Sequence, residues 1–588
     1  MSNKYDTSLT IDLPSMFEHA AAEWGGDGDA LIAYRSSDID GDMARWSRAQ
    51  LAADVRRTAT LFKGYGLDSE NRIALLLPTI PEIHLLLWGG MSVAGVALIN
   101  PLLQIEHILH LLDELEADIL CVPTHRTSPT LAAVVRQINE ARPKLRMLTV
   151  GAGGDFPAML QQAPIDVTYD FERPADALAA LFHTGGTTGR PKITPLSLAN
   201  LTCGAQALTP ALAFSMKDRF FSPLPLFHIA GAIVGGLAPL LAGTAVVMPA
   251  PAGMRDPNIL ASFWRLLEKE HVTMMVAVPT SIAALCNVGV DGADLSALDY
   301  VLTGTAPLPL ETARRFSAVT GKEVHTGYGM TETSGVIAYA PRNGPARPET
   351  AGEPLVGVHV RIEPISVQHT LVGRVMVKGA NVFHGYLGGA KRSADEWFDT
   401  GDLGLLSEDG WLTLTGRSKD LIIRSGHNID PALIEEVAAR HADVVLAAAV
   451  GLIDDYAGEV PALYVELRAG ADEVKALAEL AALLERDVSE PPARPKIIEA
   501  IAAMPTTAVG KIYKPALRLA AANKRIKRLF AEEGIEPASI EAKADLGGAI
   551  TIQAVLHARD KLNADKMSKL INRFPVDADV TVSAEQAM

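Results

Sequence analysis

Short apolar runs alternate along this chain with longer stretches whose apolar positions recur at helical spacing. Residues 73–77, 119–122, 274–278 and 300–302 have the length and composition of buried strands, whereas 49–62 reads as an amphipathic helix. Strands that alternate with helices form parallel sheets covered on both faces, which predicts an α/β fold with a large N-terminal region of several subdomains. Over 358–377 the pattern shortens into turn-punctuated strands at 358–362 and 373–377, so a β-rich subdomain at about 345–418 should close that region. A second break falls at Gly416-Arg417-Ser418-Lys419-Asp420. Beyond it come a strand at 421–424, a helix at 431–441, strands at 444–450 and 462–467, and a helix at 474–486, a smaller α+β unit of domain size. The tail adds strand-like 549–555, a helix over 563–574 and strand-like 576–582, to which no function attaches. The units expected are therefore 1–418, 419–540 and an extension at 541–588.

One stretch tests the reading as a soluble protein. Residues 220–254 hold no Asp, Glu, Lys or Arg, a length that could span a bilayer. Pro223, Pro225, Pro239 and Pro249 and Gly231, Gly235, Gly236 and Gly243 interrupt it, so a buried helix and strand linked by turns is expected instead. The apolar run 85–99 ends at Asn100-Pro101 and reads as a core helix, a strand and a turn.

Composition narrows the function. A chain of 588 residues is too long for one core, and 48% hydrophobic with 21% charged residues describes a globular protein. The net charge of -16 disfavours nucleic acid as a partner. Cys121, Cys203 and Cys286 stand apart without metal-ligand spacing, as reduced thiols in or near a core. Residues 1–12 lack the apolar stretch of a signal peptide, so a cytoplasmic location is expected.

The strongest chemical signal is Thr184-Gly185-Gly186-Thr187-Thr188-Gly189-Arg190-Pro191-Lys192. Its glycines let backbone approach oxyanions, its threonines offer hydroxyl donors, and its lysine supplies a point charge. A proline before the lysine and no Ser or Thr after it separate this loop from the Walker pattern. Further downstream lie Pro223-Leu224-Pro225-Leu226-Phe227-His228, Leu302-Thr303-Gly304-Thr305-Ala306-Pro307 and Tyr328-Gly329-Met330-Thr331-Glu332. Phe398-Asp399-Thr400-Gly401-Asp402, Gly416-Arg417-Ser418-Lys419-Asp420 and the run 505–518, P-T-T-A-V-G-K-I-Y-K-P-A-L-R, follow in order.

In that order and spacing the chain resembles the adenylate-forming (AMP-binding) superfamily of acyl-CoA synthetases, over most of its length. The resemblance implies 1–418 as an N-terminal AMP-binding domain and 419–540 as a mobile C-terminal domain. It implies an ATP-dependent carboxylate–CoA ligase, which activates an acid as acyl-AMP with release of pyrophosphate and then transfers the acyl group to CoA. Thr184, Thr187, Thr188 and Lys192 would hold phosphates, and Glu332 would give Mg²⁺ a hard oxygen ligand. Gly304, Thr305, Ala306, Tyr328, Gly329 and Thr331 would enclose the adenine side, with Tyr328 stacking on the base. Asp402 would accept from the ribose hydroxyls with Arg417 assisting. Lys511 would reach the carboxylate and α-phosphate from the C-terminal domain. Lys511, Glu332 and Thr184 are thus the catalytic candidates. The resemblance further implies a swing about the hinge Lys419 that withdraws Lys511 and presents a pantetheine channel at Gly426, between Ser425 and His427. Phe227, His228, Ala230 and Gly231 would border the acyl pocket.

That pocket segment, 227–236, has apolar and small side chains and no charge to pair with a polar substrate, so a hydrophobic acid, fatty or aryl-alkanoic, is expected. Seven basic residues between 511 and 528 attract CoA phosphates or form a solvated helix face. Gly185 where the family has Ser, Ile193 for Gly and Thr326 for Gln or Asn mark a divergent branch. Two other readings stay open: an acyl-AMP ligase that loads a separate carrier protein, and a catalytically silent nucleotide-binding regulator. The expected partners are a small carboxylic acid, ATP, Mg²⁺ and CoA, with no transmembrane segment; a homodimer is left open.

Overall fold

A computed structural model of the chain describes residues 10–163, 169–184, 192–366, 369–417, 420–425, 427–454, 456–507, 510–544, 550–557, 563–572, 574 and 576–582. The apolar runs become inner strands of two large sheets. The first has six strands in the order Lys192–Ser197, Leu178–Thr184, Gly95–Leu98, Arg72–Leu75, Ile119–Pro123 and Arg146–Val150. All its pairs are parallel except the edge pair formed by Lys192–Ser197. The second has nine strands, Glu353–Pro354, Ala338–Tyr339, Val324–Tyr328, Tyr300–Thr303, Met274–Ala277, Arg219–Phe221, Ala245–Met248, Asp29–Tyr34 and Met43–Ser47, parallel through its middle and antiparallel at both edges. Helices cover these sheets because their central strands are apolar on both sides: Met274–Ala277 and Tyr300–Thr303 are buried at every position.

Local chemistry starts the covering helices where the sequence changes period. Ser47 caps Arg48–Gly64 and Ser197 caps Leu198–Leu212, each accepting from the backbone N–H three residues on, while Gln50 and Asn200 bond back to the cap. Residues 220–254 fold into Ile229–Ala232, a π-helical turn Ile233–Leu237, Ala238–Leu241 and the strand Ala245–Met248, the buried helix and strand expected of them. No helix among the described residues is long and apolar enough to cross a membrane. Cys121, Cys203 and Cys286 are free thiols, the first fully buried.

A four-stranded antiparallel sheet, Val358–Ser366, His369–Gly379, Phe398–Leu406 and Leu412–Arg417, follows the two large ones. Next comes a sheet of His427–Ile429, Ile422–Arg424, Gly458–Leu467, Val444–Asp454 and Ile497–Ala500, with helices Pro431–Ala438, Glu473–Asp487 and Lys514–Glu532. Chain pattern and observed architecture agree on an α/β fold with a smaller α+β unit after it.

The tail is a small layer of its own. Ser539–Ala544 pairs antiparallel with Ile550–Leu556, which pairs parallel with Asp577–Val582 after a crossover through Ala564–Ile571. Ile552, Ala554, Leu556, Met567 and Ile571 bury against Ile526 and Phe530 of Lys514–Glu532, and Asn523 accepts the backbone N–H of Ala542 at 2.7 Å. The extension is therefore fastened to the last helix of the α+β unit. Truncating the fully buried Phe530 to Ala should cost about 3–5 kcal/mol. In urea unfolding with limited proteolysis, early cleavage within 539–582 is the expected result, and unchanged stability would mean that the tail does not pack on this helix.

Candidate active site

Four neighbouring strands of the nine-stranded sheet run parallel, so their C-terminal ends open onto one crevice. Arg219–Phe221 leads to His228, Met274–Ala277 to Thr280, Tyr300–Thr303 to Gly304-Thr305-Ala306, and Val324–Tyr328 to Gly329 and Glu332. Several segments distant in sequence thus share one edge.

Asp402 is the best-anchored group there, 5% exposed. Its Oδ2 accepts from Tyr328 Oη at 2.5 Å and its Oδ1 from Arg417 Nε at 2.9 Å. Burial and the carboxylate together raise the Tyr328 phenol well above its ordinary value, so it stays a donor. One carboxylate therefore joins the nine-stranded sheet to the four-stranded sheet and to the residue that ends it. Tyr328 is buried with its hydroxyl committed to Asp402.

Glu332 lies in the 3-10 turn Thr331–Thr333, beside Thr331, and is also 5% exposed. Its backbone carbonyl accepts from Phe383 N at 2.8 Å, and the Asn381 carboxamide donates to Thr333 O (3.0 Å) and Val336 O (2.6 Å). Asn200 donates to Ala380 O at 2.7 Å and Val382 O at 3.1 Å, so the 380s loop is held from both sides. The Glu332 side chain accepts at Oε1 from Tyr386 Oη, 2.7 Å away, while Oε2 has no partner among the described residues. Lys192, the first residue of its strand, holds Nζ 4.8 Å from the centre of the Tyr386 ring.

The Gly304-Thr305-Ala306 turn has a backbone of special shape. Thr305 has φ +69°, strained for a β-branched residue, and its buried Oγ1 has no hydrogen-bond partner. A Cβ on Gly304 would stand 2.7 Å from Gly327 O, and one on Gly329 would stand 2.1 Å from Gly335 O, so only glycine permits these backbone approaches. A strained turn with an orphaned hydroxyl, next to a buried carboxylate, has the donor and acceptor set that a nucleoside needs.

Two histidines line the opposite side. His228 caps the helix Ile229–Ala232, its Nδ1 accepting from Ala230 N at 3.3 Å, and His183 Nε2 accepts from Asn100 N at 3.0 Å. Burial pushes both down to about 4, and the charge on Lys511 adds to the effect at His228. The charge of Lys511 is thus near enough to act on His228. Its loop is docked there: Thr280 Oγ1 donates to Gly510 O at 2.6 Å, and Thr507 N donates to Lys511 O at 2.7 Å. Gly510 has φ +78°, and a Cβ on it would stand 3.0 Å from Val278 Cγ2.

The residues anticipated from sequence thus fall into three sets. Gly304, Thr305, Ala306, Tyr328, Gly329, Thr331 and Glu332, with Phe227, His228, Ala230 and Gly231, stand at the ends of the parallel strands or on the segments that follow them; Lys192 lies against Tyr386, the partner of Glu332; Asp402 joins Tyr328 to Arg417; and Lys511 sits in the loop held by Thr280. Thr184 ends its strand. Thr187, Thr188, Lys419 and Gly426, with Gly185, lie outside the described residues. The basic run has its charges largely spent: Lys514 pairs with Glu435 (2.7 Å), Arg518 with Asp420 (3.2 Å), Lys524 with Glu499 (2.8 Å), and Arg525 and Arg528 with Glu532. These ion pairs engage five of the seven basic residues. Sequence reading missed Tyr386, Asn381, Thr280 and His183. Only His183, adjoining the phosphate loop, carried any local signal.

Known proteins share this architecture. The family described as AMP-binding enzyme matches residues 17–387, and its C-terminal domain family matches 433–511. Marinolic acid–CoA ligase of Pseudoalteromonas sp. (strain SANK 73390) is 33% identical over 511 residues, covering 82% of this chain and 77% of that protein. Feruloyl-CoA synthase of Amycolatopsis sp is 30% identical over 482 residues, covering 80% and 93%. The structure of ATP-bound MatB from Rhodopseudomonas palustris superposes with a TM-score of 0.73 at 26% identity, covering 86% of this chain and 98% of that one. The anthranilate CoA ligase AuaEII with anthranoyl-AMP reaches a TM-score of 0.78 at 20% identity, covering 88% and 98%, a likeness of fold.

The buried imidazoles make a pH prediction. His84, His183 and His228 are held neutral in the fold, at about 3, 4 and 4, against an ordinary value near ~6.5 once unfolded. Because the unfolded chain takes up these protons first, stability is fully present above pH ~6.5 and falls as pH drops toward 4, by about 1.4 kcal/mol per unit for each ring. Thermal unfolding followed by circular dichroism should show Tm declining through this window; a flat profile would show that the rings titrate normally.

Proposed function

The chain belongs to the AMP-binding enzyme family, and from that membership we propose that it is an ATP-dependent carboxylate–CoA ligase for hydrophobic acids. The observation that carries the reading is the docked Lys511 loop, held by Thr280 on the turn after Met274–Ala277, with the lysine charge acting on His228. A lysine there meets the anionic centre at which a carboxylate would attack the α-phosphorus. CoA ligases among its relatives, with marinolic acid and ferulic acid in their names, support the acceptor and the acid class.

In this reading the substrate carboxylate attacks the α-phosphorus of ATP, an acyl–phosphate bond forms, and pyrophosphate leaves with the electron pair. Lys511 stabilises the charge that gathers on the α-phosphate, where a fixed cation in a water-poor crevice is worth most. Asp402 accepts from the ribose, and Tyr328 and Arg417 keep it oriented. The Gly304-Thr305-Ala306 turn flanks the base, and the orphaned Thr305 hydroxyl is one group the nucleotide would satisfy. Glu332, through its open Oε2, and the nucleotide phosphates would hold Mg²⁺, which commonly takes few protein carboxylates and several phosphate and water oxygens. When bound, the ion would neutralise phosphate charge. The thiol of CoA then attacks the acyl carbonyl and AMP departs. Phe227, Ile229, Ile233 and Val234 offer the acyl group an apolar wall without a charge.

Among the described residues, the unit that carries Lys511 meets the N-terminal region through hydrogen bonds that include Thr280–Gly510, Leu310–Glu436 and Arg315–Val444, and we infer that it alternates between the two half-reactions. Lys511→Ala should lower acid-dependent ATP–pyrophosphate exchange by about 100-fold or more, while thioester formation from supplied acyl-adenylate stays within about tenfold. Gly510→Ala should follow the same split more mildly, since it disturbs docking and spares the amine. Equal loss of both half-reactions in folded protein would overturn the assignment. Separately, Glu332→Gln should shift the Mg²⁺ requirement of exchange upward several-fold; an unchanged metal titration would remove Glu332 from the metal site.

A further inference from the structure

His84 lies on the helix Glu82–Met91 and is 1% exposed. The Trp88 indole N–H, which can only donate, points to His84 Nδ1 at 3.3 Å. Nδ1 is therefore the acceptor, and the proton of the ring sits on Nε2. That Nε2–H is buried and has no hydrogen-bond partner among the described residues. Burial keeps the ring uncharged, its value lowered to about 3. A neutral buried donor left unpaired is costly unless something else satisfies it.

What lies beside it is the acyl segment. A Cβ on Gly236 would stand 3.4 Å from His84 Cε1, the carbon next to Nε2, and 3.3 Å from Trp88 Cζ2. Gly236 belongs to the π-helical turn Ile233–Leu237, an irregularity that recurs at functional sites. From His228, on which the Lys511 charge acts, to Gly236 is eight residues along this segment, about 12 Å at the ordinary helical rise. The carboxylate end of an acid and the far end of its chain would thus be bounded by different residues of one segment.

We propose that His84 Nε2–H marks the remote end of the acyl pocket and selects acids that carry an oxygen acceptor, such as a hydroxyl or keto group, on the chain far from the carboxylate. The inference rests on the ligase reading and narrows its substrate class. An apolar wall fits the methylenes, and one neutral donor fits one oxygen. A charged terminus is disfavoured because the ring stays neutral.

The test is ATP–pyrophosphate exchange with straight-chain acids from short to long and their hydroxy and keto analogues, on wild type, His84→Phe and His84→Gln. In wild type, one chain length should show kcat/KM about 10- to 100-fold higher for the oxygenated acid. His84→Phe keeps the ring volume and should erase that ratio through KM with kcat nearly unchanged, while His84→Gln, whose amide can donate, should retain most of it. If wild type gains nothing from oxygen at any chain length, the inference falls and the ligase reading stands, whether or not the variants fold. A ratio that survives in His84→Phe overturns it as well and leaves an internal water as the partner. Exchange with no acid of either kind would sink the ligase reading, and this inference with it.

Discussion

The buried Asp402 carboxylate is the constraint on which the crevice depends. Two donors fill it, Tyr328 from the nine-stranded sheet and Arg417 from the end of the four-stranded one. Leaving either donor out would strand a charge in a nearly dry place, so the two sheets cannot drift apart without a large penalty. The four-stranded sheet is thereby set at the mouth of the crevice, and the chain leaves Arg417 for the α+β unit from a fixed point.

A second seam, made mostly of neutral groups, complements the first. Asn200 and Asn381 donate to backbone carbonyls on either side of the 380s loop, and Phe383 bonds the carbonyl of Glu332. Both amides donate twice to backbone carbonyls in a low-dielectric setting, so Glu332 and Tyr386 are presented at a set place. The Lys511 loop is held differently. Thr280 to Gly510 is one hydrogen bond over a tight van der Waals contact with Val278, and elsewhere Glu436 accepts from Leu310 N at 3.0 Å. Strong ties within the first three sheets and sparse ties to the α+β unit suit a site whose walls stay fixed while one catalytic group is brought to it.

Much of this was legible along the chain because local rules govern it. The strands at 274–277 and 300–303 follow from unbroken apolar runs, the helix Arg48–Gly64 from its Ser47 cap, and the broken apolar stretch 220–254 from its prolines and glycines. Ordered motifs also pointed to Glu332, Asp402, Arg417 and Lys511 as members of one site. Tyr386 and Thr280 were invisible because nothing local distinguishes a tyrosine that binds Glu332, 54 positions away, or a threonine that meets Gly510, 230 positions away. His84 was hidden for a related reason: a histidine inside an apolar helix reads as core, and its unpaired Nε2–H exists only once Trp88 has claimed the other nitrogen.

By itself the sequence determined the class of fold and pointed to several members of one candidate site, since periodicity, caps and short motifs act over a few residues and survive without context. Tertiary structure alone decided which atoms are spent and which are left for a ligand. Tyr328 and Arg417 are committed to Asp402, Lys514, Arg518, Lys524, Arg525 and Arg528 pair with carboxylates, and among the described residues Thr305 Oγ1 and His84 Nε2 have no partner. A residue's hydrogen-bonding capacity is written in its type, but whether that capacity is filled depends on partners brought by long-range packing, and the unfilled remainder is what a substrate can use.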